Sequence, residues 1–379
     1  MNISWWPASV PDLQACQFVG SFMNILMITS KNDKYGAQRV FLDQVSALRR
    51  LGHQVVVVGR GKEGYVADTV RSMNVEYHGI PMKGIRDILF LMHLVKKYTI
   101  DIIHTSLDRA DYFGVLLSYL MRRPLVCTMN VRRYHFGYRF ADRVVTVSNK
   151  QKELLLSNGI RTDRISVIRP WINVDRYANP VAEKRDAWKR KLNADGYGIV
   201  FCHISSIIPQ KGHTISLELI TECKRRGETP LLIIAGDPLR GDYYDSLQKK
   251  ISDEGLVENV HFTGWTSELP ELLSLSNFTL LPSVHEAFGM VLLEGMAAGT
   301  PIVAREGEGG AELIEEYGTG FLYRPAEGVP NLAENILALW HDSSRYRQLS
   351  DRCRTTARND FSMERFGERL VGLYHSIGR

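Results

Sequence analysis

Short apolar runs alternate with amphipathic stretches along almost the whole chain. Asn24–Thr29 is an apolar run, and a polar segment containing a glycine, 31–37, follows it. Apolar residues then recur at helical spacing at Val40, Phe41, Val45, Leu48 and Leu51, until Gly52 stops the pattern. Residues 54–58 form a β-branched run of the kind found in parallel strands covered on both faces. Further strands are predicted at 102–104, 124–128, 143–147 and 166–168. A polar helical connector, 181–192, leads into a second series of strands at 199–204, 231–235, 260–263, 278–281, 301–304 and 320–323. Between these lie helical patterns at 214–226, 244–254, 269–275, 290–298 and 331–341. Two alternating series predict an α/β protein of two doubly wound domains. Ligands of such sheets bind beyond the C-terminal ends of the strands, so the expected site lies in the cleft between the two domains.

Length and composition fit this reading. At about 150 residues per domain, 379 residues leave room for two or three domains. The 47 Lys and Arg against 42 Asp and Glu give a net +5, too little to argue for nucleic acid. The five cysteines, Cys16, Cys127, Cys202, Cys223 and Cys353, show no C-x-x-C spacing, so they read as reduced core thiols of a cytosolic protein. No run approaches the length of a membrane span, about 18 apolar residues. Residues 1–22 lack a basic start, and Pro7, Asp12 and Gln14 interrupt any apolar core. They are expected to be an appendage ahead of the first strand, or the product of an upstream start codon, and to form a disordered tail in preference to touching a membrane interface through Trp5 and Trp6.

The chemistry concentrates in 282–301. Strand 278–281 runs into a loop, and a helix starts near Gly289 and ends at Gly299-Thr300-Pro301. The amides of Gly289, Met290 and Val291 lack helical partners and lie at the positive end of the helix dipole, an arrangement suited to a diphosphate. Glu294 sits in an otherwise apolar helix, where a carboxylate needs hydrogen bonds that vicinal ribose hydroxyls can supply. Glu286, before the helix, can accept hydrogen bonds from a sugar. On these residues alone two readings stand: a nucleotide-sugar site, or a buried helix with two incidental glutamates.

The segment resembles the family-4 retaining glycosyltransferases (glycosyl transferases group 1), whose signature is two glutamates eight residues apart with Phe-Gly after the first. Here these are Glu286, Phe288, Gly289 and Glu294. The likeness extends from Met23 over nearly the whole chain: Gly36-Ala37 after the first strand, Pro209-Gln210-Lys211-Gly212, Ile233-Ile234-Ala235-Gly236, Phe262-Thr263-Gly264 and a terminal helix over 361–374. The resemblance implies the GT-B fold, two facing Rossmann-like domains. An extension would occupy 1–22, an acceptor-side domain 23–178, a donor domain 179–355, and a helix crossing back to the first domain 356–379. It implies that Glu286 binds the donor sugar, Gly289 to Val291 the diphosphate, Glu294 the ribose and Lys211 the leaving phosphate. Phe288 and Trp265 join the donor site, Trp265 near the base, and Gly36 lets the first-domain loop approach the diphosphate. The expected partners are a nucleotide-sugar (UDP- or GDP-linked) and a carbohydrate or lipid-linked acceptor, with no nucleic acid, no cofactor and no metal. The expected reaction moves a hexose or N-acetylhexosamine in envelope polysaccharide, lipopolysaccharide or glycolipid assembly.

Three positions depart from the family pattern. Ser206 stands where an arginine is common, Asn130 where a histidine is common, and Arg169-Pro170-Trp171-Ile172-Asn173 replaces the usual Pro-Asn-Gly-x-Asp block. Asn130 can bond a sugar hydroxyl but cannot relay a proton at neutral pH. The departures keep open a weakly active or inactive sugar-binding relative, and a phosphorylase or epimerase on the same fold. His104 reads either as facing the cleft or as a satisfied histidine, and His285 as a loop residue. In the first domain Lys96, Lys97, Arg122, Arg123, Arg132, Arg133, Arg139 and Arg143 are interleaved with Tyr134, Phe136, Tyr138 and Phe140. That pattern fits either a solvated surface or peripheral contact with an anionic membrane, at the inner face of the cell membrane.

Overall fold

The computed structural model describes residues 22–33, 36–238 and 241–377. Apart from Phe22, the expectations for residues 1–22, including Cys16, lie outside the described residues. The described residues divide into two compact units; one holds 22–171 together with 363–377, and the other holds Ile172–Ser362.

In the first unit seven parallel strands form one sheet: β1 (Asn24–Thr29), β2 (Gln54–Arg60), β3 (Glu76–Ile80), β4 (Ile102–Ser106), β5 (Leu125–Met129), β6 (Arg143–Thr146) and β7 (Ile165–Val167). Their order is β3-β2-β1-β4-β5-β6-β7, so the winding reverses between β1 and β4. The strand expected at 124–128 is shifted by one because Pro124 has no N–H to give the ladder, although its carbonyl accepts from the Ile103 amide. β3 gave no sequence signal, since only Ile80 of its five residues is buried. Helices Tyr65–Ser72, Ile85–Lys97, Asp108–Met121 and Asn149–Ser157 complete the crossovers.

Helix Met363–Ile377 packs in this unit against helix Gly36–Arg50. Gly367 permits the approach, because a Cβ there would lie 2.7 Å from the Leu51 side chain. His104 is settled by this helix. It lies fully buried within β4, bonded through Nδ1 to the Tyr374 hydroxyl and through Nε2 to Thr128 Oγ1 at 2.6 Å. Burial pushes its pKa down to about 3, so it is a neutral core histidine that fastens the last helix to the sheet.

The second unit holds six parallel strands: β8 (Ile199–Ile204), β9 (Pro230–Ala235), β10 (Val260–Gly264), β11 (Phe278–Leu281), β12 (Ile302–Arg305) and β13 (Gly320–Tyr323). Their order is β10-β9-β8-β11-β12-β13. The winding reverses between β8 and β11, and a crevice opens at the strand ends of a doubly wound sheet at such a point. Every residue of β8, β9 and β11 is buried, as strands covered by helices on both faces require. Helix Ser343–Asp360 was not expected from the pattern, because the face it buries is Ser350, Cys353, Thr356 and Ala357 rather than an apolar stripe. Cys127, Cys202, Cys223 and Cys353 are buried free thiols.

Candidate active site

The site is built where β8 and β11 lie side by side. Two loops leave their C-terminal ends and are tied to each other. The Val284 amide donates to the Gln210 carbonyl at 2.8 Å. Pro209–Lys211 makes one tight turn, and Gly212 follows it with φ of 75°. A Cβ on Gly212 would stand 2.4 Å from the Pro282 carbonyl oxygen, so backbone proximity and left-handed conformation both demand glycine here. The joined loops bring Lys211 Nζ to 2.8 Å from Glu286 Oε2. Both side chains are partly covered, Lys211 at 28% and Glu286 at 15% exposure. The pair thus stands at the reversal point of the sheet, the place where a doubly wound sheet receives its ligand.

A second layer of loops holds this pair. The Ser205 amide donates to Ala235 O and the Ile207 amide to Asp237 O, which pins the Ser205–Ile208 stretch to the end of β9. Ser206 is half-buried there. On the other side Gly309 N donates to Glu286 O at 3.0 Å, and a Cβ on Gly309 would come within 2.0 Å of the Ala287 carbonyl. The glycine run at 307–310, which has no dinucleotide spacing, therefore serves as a bed for the Glu286 loop. Sequence reasoning missed this role, and the signal available was the doubled glycine after a strand. It also missed Ser283, whose Oγ is buried in the Glu286 loop with no hydrogen-bond partner.

Helix Met290–Ala298 begins three residues beyond Ala287. Gly289 caps it at φ 84°, tight against Leu281 and Leu292, whose side chains would lie 3.2 and 3.1 Å from an added Cβ. Met290 and Val291 are partly exposed and hold the first two helical positions, where amides have no intrahelical acceptor. Gly295 lets the helix press onto β11: a Cβ there would meet Thr279 Oγ1 at 2.4 Å. Gly299, also left-handed, ends the helix, and its carbonyl accepts from Ser350 Oγ at 2.6 Å. Glu294 is 2% exposed, one helical turn beyond Met290.

The remaining expected site residues sort by place. Phe288 has its ring in the core, 6.2 Å from the ring of Phe361, so only its backbone faces the loop. Trp265 follows β10, two strands out from β8, with its amide donating to Asp237 Oδ1 at 3.0 Å and its side chain exposed. His285 is exposed, with φ 67°, a costly conformation for a residue with a side chain. Gly36 and Asn130 belong to the other unit. Gly36 opens helix Gly36–Arg50 and nothing lies within 4 Å of an added Cβ. Asn130 follows β5; its Nδ2 donates to Ser106 Oγ at 2.6 Å, and its Oδ1 is buried without a partner.

Behind Lys211, His203 on β8 and His213 at the head of helix His213–Arg225 stack with centroids 4.2 Å apart. His203 bonds Ser216 Oγ at 2.8 Å, and His213 bonds Ser205 Oγ at 3.2 Å. Burial pushes both below the ordinary histidine value, His213 to about 4. Two neutral rings can share this space beside a lysine, which two imidazolium ions could not.

Two Rossmann-like units, the second with a lysine, a glutamate and a glycine-capped helix at its reversal point, define an α/β protein of the GT-B class. Comparison with known proteins makes this specific. Residues 184–360 match the family described as Glycosyl transferases group 1, and residues 35–176 match Glycosyltransferase Family 4. The chain is 30% identical to the alpha-D-kanosaminyltransferase of Streptomyces kanamyceticus, over 71% of this chain and 75% of that protein. It is 22% identical to the UDP-Gal:alpha-D-GlcNAc-diphosphoundecaprenol alpha-1,3-galactosyltransferase of Escherichia coli, over 89% and 93%. Among solved structures, HepE of Anabaena in complex with UDP superposes with a TM-score of 0.83 at 22% identity, over 93% of this chain and all of that one. The chain belongs to the family-4 glycosyltransferases and is a glycosyltransferase.

Proposed function

We propose that the protein moves a hexose or N-acetylhexosamine, with retention of configuration, from a UDP- or GDP-linked donor to an acceptor used in envelope polysaccharide, lipopolysaccharide or glycolipid assembly. The observation that carries this reading is the Lys211–Glu286 pair beside the free amides of Met290 and Val291. A cation and unpaired N–H groups suit a diphosphate, and a carboxylate next to them suits sugar hydroxyls. The E. coli relative is named for a UDP-sugar donor and a lipid-diphosphate-linked acceptor, and the Anabaena neighbour holds UDP. Both names support a nucleotide-sugar here.

In this reading Lys211 turns from Glu286 to the leaving phosphate, and Glu286 accepts hydrogen bonds from the transferred sugar. The helix amides hold the diphosphate, and Glu294 takes the ribose. Ser206 and Ser283 offer neutral hydroxyls, and Trp265 an exposed ring for the base. The bond from the anomeric carbon to the diphosphate oxygen breaks as the acceptor oxygen attacks on the same face, and the acceptor proton passes to the departing phosphate. Fixed charge and dipoles stabilise the leaving group, so no protein nucleophile is required. Asn130 Oδ1, buried without a partner, suits a sugar hydroxyl donor. The inner face of the cell membrane is the proposed place of work.

The test is a thermal-shift panel of UDP, GDP, ADP and their sugars, followed by determination of the anomeric configuration of the product. A rise in midpoint with one nucleotide family is expected by mass action. No shift with any of them, or an inverted product, would overturn the reading.

A further inference from the structure

Helix Asp108–Met121 is apolar nearly all round, and the structure leaves one of its faces uncovered. Tyr112, Leu116, Tyr119 and Leu120 repeat at helical spacing and are all exposed, Tyr119 at 82%. The helix packed beside it, Ile85–Lys97, exposes Ile85 and Leu89. The patch continues across Tyr112, whose ring lies 5.4 Å from that of His135, to Phe136 and Phe140, an edge-to-face pair 5.3 Å apart with both rings exposed. Among the described residues fourteen large hydrophobic side chains are exposed, and nine of them lie on these two helices and the 131–140 segment. Scattered exposed hydrophobics are ordinary, but a concentration of this kind marks an interaction surface.

The charge around the patch identifies the occupant. Residues 81–143 hold eleven Lys and Arg against five Asp and Glu, a net +6, whereas the whole chain carries only +5. Two of the five acids are taken up internally: Asp111 is buried against His135 and Thr105, and Asp142 accepts the Leu125 amide. The exposed Arg122 and Arg123 follow the C-terminal end of helix Asp108–Met121, Lys96 and Lys97 end the neighbouring helix, and Arg139 lies over the Phe136 ring at 5.7 Å. Of the aromatic residues that sequence placed among these cations, Tyr138 is buried, so the exposed aromatics are Phe136, Phe140 and the tyrosines of helix Asp108–Met121.

We infer that this face docks on an anionic lipid bilayer, with the apolar stripe of Asp108–Met121 lying in the interface and the surrounding arginines and lysines meeting lipid phosphates. Tyrosines suit that depth, with the ring in the acyl boundary and the hydroxyl among headgroups. Apolar side chains supply the anchoring, and the cations select the charged leaflet. Among the described residues no helix is long and apolar enough to cross a membrane, so the contact is peripheral. The inference stands on a different part of the molecule from the donor site and does not depend on which sugar is transferred.

The experiment sediments the purified full chain with vesicles of phosphatidylcholine containing phosphatidylglycerol, and with vesicles of phosphatidylcholine alone. Binding to the anionic vesicles only, falling with added salt, is expected. In Leu116→Ser/Tyr119→Ser/Leu120→Ser it should fall more than about tenfold, and in Arg122→Glu/Arg123→Glu by about fivefold or more per residue. All of these residues are exposed, and an unchanged thermal midpoint and nucleotide shift would show that the fold and the donor site are intact. Two results would overturn the inference. One is vesicle binding that is absent or undiminished by the triple substitution. The other is a dimer in solution that the same substitution converts to a monomer, which would give the face to a second copy of the chain.

Discussion

The Lys211–Glu286 contact makes a quantitative demand. Removing the ammonium in Lys211→Ala strips a partner 2.8 Å away from a carboxylate that is only 15% exposed. The pair is partly covered but still reaches solvent through Lys211, 28% exposed, so it contributes about 1 kcal/mol to stability and the melting midpoint should move by only a few degrees. Donor binding should suffer far more. One charge-assisted hydrogen bond to the diphosphate corresponds to about 1.5–3 kcal/mol, or about tenfold to a hundredfold in Kd. The bared Glu286 adds repulsion against the incoming anion. Titration calorimetry with the nucleoside diphosphate that gives the largest thermal shift measures this directly. Lys211→Ala/Glu286→Gln separates the two contributions. Removing the repulsion should recover part of the loss, and the lost lysine contact should keep Kd well above that of the unchanged protein. If Lys211→Ala alone binds within twofold of the parent, or the double variant regains full affinity, Lys211 is a structural partner of Glu286 and not a phosphate ligand.

Other expectations follow from the same geometry. Gly212→Ala sets a Cβ against the Pro282 carbonyl at a left-handed φ, so it should cost about 1–3 kcal/mol by urea unfolding and weaken nucleotide binding with it; a parental value for both would show that the two loops are not held as described. Tyr374→Phe leaves His104 Nδ1 buried and unpaired, which should cost about 1–3 kcal/mol and speed hydrogen exchange in 363–377; unaltered exchange there would remove His104 as a fastener. The buried histidines set a pH dependence. Burial holds His104 at about 3 and His213 at about 4, below the ordinary histidine value of about 6.5, and His203 is also lowered. The unfolded chain therefore binds more protons than the folded one below about pH 6.5. Their contribution is fully present above that pH and is lost on acidification toward 4, at up to about 1.4 kcal/mol per histidine per pH unit; a flat urea midpoint between pH 6.5 and 5 would contradict the burial.

The sequence showed the fold where burial and periodicity agree. β8 and β9 are apolar over their full length because helices cover both faces, and Gly299-Thr300-Pro301 ends a helix in any context. β3 and helix Ser343–Asp360 were illegible because they bury little apolar surface or bury small polar groups. For the site, glycines, glutamates and a lysine carried a pattern, but the pairing of Lys211 with Glu286 depends on β8 lying beside β11, a neighbour relation that no local spacing contains. Phe288, expected at the donor site, turned inward, since an apolar ring beside a buried helix gains more from the core than from a polar ligand. The uncovered face of Asp108–Met121 was hidden for the opposite reason. A helix that is mostly apolar, with only Asp108, Arg109, Asp111 and Ser118 polar, marks no outward face in its sequence, and only the packing shows which side lacks a neighbour.

Helix Met363–Ile377 belongs to the first unit but follows the whole of the second in the chain. During synthesis, β1 to β7 emerge long before Tyr374, the partner of His104 Nδ1. The 172–362 segment can fold as soon as it leaves the ribosome, because all its strands and helices are contiguous. The earlier-made unit must wait, its helix Gly36–Arg50 lacking only its last partner, until about two hundred further residues have been added; at ordinary elongation rates that is an interval of about ten seconds or more. The half of the enzyme that is translated first is thus the half completed last, and until then the side of helix Gly36–Arg50 that receives Met363–Ile377 stays uncovered.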